Sequence, residues 1–111
     1  MDSNEFEKSK VFSLDNSVEY SAGGIVSKTV LKKDTGNISV FSFDKGEGLT
    51  EHTSPFDAVI VAIDGKGEII IGGKPFTVEA GHFIIMPQNI PHAVNAVEKF
   101  KMMLIMIRSL K

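Results

Sequence analysis

From Ile25 to Arg108 no stretch keeps a helical apolar period. Short runs rich in Val, Ile and Phe are instead cut by Gly, Asp and Asn, which commits the chain to a fold of strands and turns. The expected strands are Ile25 to Lys32, Ile38 to Phe43, Ala58 to Ile63, Glu68 to Ile71, Lys74 to Glu79, Phe83 to Met86, His92 to Val97 and Phe100 to Arg108. Between them lie Asp34-Thr-Gly-Asn37, Asp44 to Gly48, Asp64-Gly-Lys-Gly67, Gly72-Gly73, Ala80-Gly81 and a loop marked by Pro87 and Pro91. Gly72-Gly73 is the clearest hairpin signal, because two adjacent glycines take positive φ without steric cost. Upstream, Val11, Phe12 and Leu14 predict one more short strand, and residues 1–8 are expected to be loosely held.

Nine or ten short strands without a repeat predict an all-β fold, a small antiparallel β-barrel or double-stranded jelly roll, with the barrel over residues 25–108. At 111 residues and 42% hydrophobic composition the chain forms one domain, residues 1–111, around one core. The run Ala58 to Ile63 is apolar on both faces and predicts a strand covered on each side. The expected core is Val59, Val61, Ile63, Ile70, Phe83, Ile85, Leu104 and Met106. Met86, Met102, Met103 and Met106 read as core filling, with a polarisable pocket wall as the alternative.

A formal net charge of -2 supplies no concentrated positive surface, so nucleic acid is not an expected partner. Lys28, Lys32 and Lys33 read as a solvated strand edge. The absence of cysteine excludes disulfides and thiolate chemistry. The N-terminus is polar and acidic, unlike a secretory signal, and the run Met102 to Ile107 is far short of the ~20 residues of a bilayer-spanning helix. No membrane partner is expected, and the expected location is the cytoplasm.

Two blocks carry the candidate chemistry. Gly46-Glu-Gly-Leu-Thr-Glu-His52-Thr-Ser-Pro-Phe-Asp57 runs into the strand at Ala58, and Gly81-His-Phe-Ile-Ile-Met-Pro87-Gln-Asn-Ile-Pro-His92 runs into the strand at His92. Each carries a histidine near the start of an apolar segment. Neutral imidazole binds zinc, iron, copper or nickel, and rings on facing strands can share an ion. Ser54, Phe56, Asp57 and Gln88 are the remaining candidate pocket residues, Asp57 being the nearest carboxylate. His82 reads as a surface turn residue. Ser54 lies near His52, but neither a serine hydrolase arrangement nor a phosphate-binding glycine loop is present.

The two blocks resemble the cupin motifs G-x5-H-x-H-x3,4-E-x6-G and G-x5-P-x-G-x2-H-x3-N. Gly46, His52 and Gly65 keep the first spacing, and Gly81, Pro87 and His92 the second. Ser54 stands at the second histidine, Ala58 at the glutamate, Asn89 at the glycine, and Asn95 one residue early. The resemblance implies a jelly-roll barrel with His52 and His92 facing one interior. It also implies a divalent metal ion there (Zn, Fe, Mn, Ni or Cu), held in the family by three histidines and a glutamate.

Three functions follow as expectations. One is a metal-dependent enzyme of the dioxygenase, isomerase or decarboxylase type that binds a small molecule through His52 and His92. A metal-free ligand-binding or sensing barrel is the second. The third is a structural or interaction domain, which the polar groups on inward faces argue against. The surplus of strands apolar on both faces predicts a homodimer, and the resemblance assigns Val11 to Leu14 to its interface.

Overall fold

The computed structural model describes residues 6–109. The expectation of a loose N-terminus falls partly on residues 1–5, outside the described residues. Seven strands form the body: β1 (Ile25–Lys33), β2 (Gly36–Phe43), β3 (Gly48–His52), β4 (Asp57–Ile71), β5 (Lys74–Glu79), β6 (Phe83–Met86) and β7 (His92–Ile107). All pairings are antiparallel. No helix among the described residues is long and apolar enough to cross a membrane.

Two strands are far longer than the sequence pattern suggests. Asp64 to Gly67 and the residues around Glu98 are not turns: they are bends within β4 and β7, which pass from one sheet of the roll into the other. The first half of β4 joins β6 and the second half of β7, which continues to β2 and β1. The second half of β4 joins β5 and the first half of β7, which continues to β3. Glycine makes the bend possible. Gly65 has φ +79°, and a Cβ on Gly67 would lie 2.6 Å from Cε2 of Phe100, whose ring covers it. The Gly72-Gly73 hairpin forms as expected, with φ of +57° and +82°.

The core lies between the sheets and comprises Phe43, Ala58, Ile60, Ala62, Ile69, Val78, Met86, Val94, Ala96, Phe100 and Met102. This corrects the expected phase of two strands. Ile60 and the small residues Ala58 and Ala62 point inward, while Val59 and Val61 point outward and are half-buried. On β6, Ile84 and Met86 face in, whereas Phe83 is 66% exposed and Ile85 58% exposed. Ile63 and Ile70 are also only half-buried, while Leu104 and Met106 pack against the core as expected.

Val11, Phe12 and Leu14 do not form a strand. They belong to an arm that leads through a short 3-10 turn, Asp15–Ser17, and lies over the outer face of β1, β2 and β7. Polar anchors hold its base. Ser42 Oγ donates to the Glu19 carbonyl at 2.6 Å, and the buried Lys101 donates to the Asp15 carbonyl at 2.5 Å. Tyr20 donates to Asp64 at 2.5 Å; burial, then this carboxylate, push its phenol well above the usual range. Lys32 and Lys33 are exposed on β1, which is an edge strand.

Candidate functional site

β3 ends at His52 and β7 begins at His92, and the antiparallel register sets these residues directly opposite each other. On its other side His92 pairs with Ile71 of β4. His92 is 6% exposed, whereas His52 stands at the open end. Their ring centroids are 4.4 Å apart with the planes inclined by 71°, and Nε2 of one lies 3.2 Å from Nε2 of the other.

The other ring nitrogens fix the tautomers. Nδ1 of His52 is 2.8 Å from the Thr50 carbonyl, and Nδ1 of His92 is 3.2 Å from the Ile90 carbonyl. A carbonyl oxygen only accepts, so each Nδ1 carries the hydrogen and donates it. In the neutral pair both Nε2 atoms therefore present lone pairs to each other. That arrangement is repulsive until one cation, a proton or a metal ion, is shared between them. Two protons are disfavoured: burial, and then the charge of a protonated His52, hold His92 below the usual histidine range.

Behind the pair lies a cavity of about 30 Å³, lined by the two histidines with Leu49, Ala58, Ile60, Met86, Val94, Met102, Leu104 and Met106. That is room for at least one ordered water, which needs about 10 to 15 Å³. Among the described residues the wall holds no carboxylate. Ala58 lies opposite Met86 on one side and Met106 on the other, so methionines flank the small side chain. Among the described residues no three His, Cys, Asp or Glu side chains gather as a metal site.

Ser54, Phe56, Asp57 and Gln88 do not line this cavity. They tie two loops together beside its mouth. The Ser54 hydroxyl accepts from the Phe56 amide at 3.1 Å, the Ser54 carbonyl accepts from the Asn89 amide at 2.7 Å, and Asp57 Oδ1 accepts from the Gln88 amide at 3.0 Å. Asp57 pairs with Ile107 on the outward phase of β4, and the Arg108 guanidinium lies over the Phe56 ring at 5.2 Å. No bulge turns the Asp57 carboxylate inward. His82 is exposed and accepts the Glu79 amide within its turn, and the Asn95 amide donates to Glu68 at 3.3 Å.

The methionines Met86, Met102 and Met106, expected first as core filling and only alternatively as a pocket wall, line the site. Met102, Leu104 and Met106 share one face of β7, and the β7 bend turns that face toward His92. The alternation was readable; the bend that brings both halves of one strand to the same cavity was not.

The family model described as "Cupin domain" (Cupin_2) matches residues 39–108. Among solved structures, a conserved protein of unknown function from Streptococcus pyogenes is 36% identical, with a TM-score of 0.91, over 97% of this chain and 95% of that one. A cupin 2 conserved barrel domain protein from Leptotrichia buccalis is 44% identical, with a TM-score of 0.85 over 87% of this chain, which spans 47% of that longer protein. A cupin superfamily protein from Desulfitobacterium hafniense shares the fold at 22% identity, with a TM-score of 0.87 over 96% of each chain. No curated protein matches the chain.

Proposed function

Since this chain belongs to the cupin family, whose fold is in general that of a small-molecule-binding barrel, we propose that it is a binding barrel whose working element is the His52–His92 pair. The observation that carries the reading is the pair of Nε2 atoms 3.2 Å apart, each aimed by an Nδ1–H bond to a backbone carbonyl. Second-sphere bonds of this kind orient imidazoles that ligate metal ions. The pair fits an occupant that accepts two nitrogen donors, and the cavity beside it is small.

The residues do not fit the complete metal set of the family. Ser54 ties down a loop, Ala58 is a methyl group, and the Asp57 carboxylate serves the Gln88 amide. A dioxygenase, isomerase or decarboxylase of the metal-dependent kind needs a firmly held ion with open positions, and usually a group that moves a proton. Binding or sensing is therefore the better reading of the site than catalysis.

The experiment is metal analysis of the purified chain with titration of the stripped protein. One ion per chain, lost in His52→Ala and in His92→Ala while both variants keep the β spectrum, is the expected result. Retention of the ion in both variants would place the binding site elsewhere.

The exposed outer face favours a two-fold homodimer. Phe83, Ile85, Val59, Val61, Met103, Ile105 and Ile107 form one continuous apolar surface across β6, β4 and β7, and Ile38 extends it onto β2. With strands ~4.8 Å apart and ~3.3 Å per residue, that surface spans roughly 250 Å². A stable pair needs about 800 Å² on each partner. The arm adjoins it through Val40 and Met103 and exposes Val11 at 95%, Phe12 at 42% and Leu14 at 46%. A second copy covering sheet and arm together would extend the buried apolar area beyond the sheet alone, and a self-complementary face is what a two-fold axis uses.

A further inference from the structure

We propose that the ion held by the histidine pair is monovalent copper, bound by Nε2 of His52 and His92 and by thioether sulfur from Met86 and Met106. The inference rests on the binding role given to the pair above and adds the identity of the ion. It comes from the mismatch between the donors present and those a divalent ion requires.

Every group that faces the cavity is uncharged or apolar. The histidines are neutral donors, the methionines offer thioethers, and Leu49, Ala58, Ile60, Val94 and Leu104 complete the wall. A doubly charged ion brought here exchanges waters for neutral donors and meets no anionic ligand on the cavity wall. The cost of desolvating an ion rises with the square of its charge, so a singly charged ion is penalised far less. Placement points the same way: the ligand atoms offered on the cavity side are two imidazole nitrogens and thioether sulfurs, not the oxygens that an octahedral ion retains.

Ligand softness then selects among singly charged ions. Sodium and potassium seek oxygen, and the cavity offers them none. Thioether and imidazole together suit Cu(I), which does not require a full tetrahedral or octahedral shell. Met86 is 3% exposed, and Met106 packs against the core beside it; both lie opposite Ala58 in the register. Ala58, at the position of the family's glutamate, adds only a methyl group to the cavity that both methionines and both imidazoles line. Met102 lines the same cavity and reinforces its sulfur-rich character.

The test uses the full chain stripped of metal. It is titrated without oxygen with Cu(I) against a coloured Cu(I) chelator, and in parallel with Zn(II) and Fe(II). One equivalent of Cu(I) should bind more tightly than either divalent ion, and X-ray absorption at the copper edge should show bonded sulfur as well as nitrogen. The volume-conserving double variant Met86→Leu with Met106→Leu should lose at least about 10- to 100-fold in Cu(I) affinity, the range set by even indirect ligand support, with weak Zn(II) binding unchanged. Zn(II) or Fe(II) binding more tightly than Cu(I), or a copper edge without sulfur, overturns the assignment of copper and leaves the histidine pair as the binding element. Failure of all three ions to bind overturns both readings. The edge measurement on the unaltered chain decides the point even if the double variant does not fold.

Discussion

His52 and His92 face each other across one ladder position, yet one ring is open to water and the other is buried at 6% exposure. The difference gives the metal-free protein a pH-dependent stability. His92 ionises below the usual histidine range when folded, so between its unfolded value of ~6.5 and that lower value the unfolded chain binds more protons. Stability from this group is present above about pH 6.5 and is lost as the pH falls below it. Urea unfolding of the stripped protein at a series of pH values should show that decline, and His92→Leu should flatten it. An equal slope in the variant would assign the effect to other groups.

The inward phase of β4 sets a second expectation. Ile60 is fully buried, so Ile60→Ala should destabilise the fold by about 2 to 5 kcal/mol. Phe83→Ala on the outer phase should cost the isolated subunit less than about 1 kcal/mol despite removing a larger side chain. Chemical denaturation at low protein concentration compares the two; equal costs would contradict the strand phase.

Placing charge on the outer face should separate the subunits without unfolding them. Phe83→Asp with Ile85→Asp puts two carboxylates where the dimer face is expected. Sedimentation velocity at micromolar concentration should give a dimer for the original chain and a monomer for the variant. A monomer in both cases removes the proposed pairing.

Gly67→Ala tests the bend between the sheets. The added methyl meets the Phe100 ring at 2.6 Å, and because both residues are buried neither has room to withdraw. Overpacking of this kind costs about 1 to 3 kcal/mol, and the melting temperature should fall accordingly. An unchanged melting temperature would show that the corner is soft.

Strands β1, β2, β5 and β6, the Gly72-Gly73 hairpin and the histidine positions were legible because each depends on local chemistry or on spacing, whereas β3 at Gly48–His52 was not expected as a strand and the strand expected at Val11 to Leu14 is absent. The phase of β4 was not. Both parities from Ala58 to Ile63 are apolar, so alternation alone offers no choice; the small Ala58 and Ala62 face inward because Met86, Met102 and Met106 fill the space opposite them. The loop residues Ser54, Phe56, Asp57 and Gln88 escaped for another reason. Strand pairing stops at His52 and resumes at Asp57, so parity does not carry across Pro55, and cross-loop hydrogen bonds decide where these side chains go. Gly65 and Gly67 carry a turn signature, but a glycine required by a close neighbour looks the same in sequence as a glycine required by a reversal.

On the last half of β7, Met102, Leu104 and Met106 line the cavity while Met103, Ile105 and Ile107 form the outer surface. These two sets are offset by one residue along a single strand. Deleting one residue just before Met102 would exchange them, sending the sulfur wall outside and the outer apolar surface inside, although the segment's composition would hardly change. The two surfaces are therefore locked to each other in the reading frame of the strand, and a length change there cannot alter one while sparing the other.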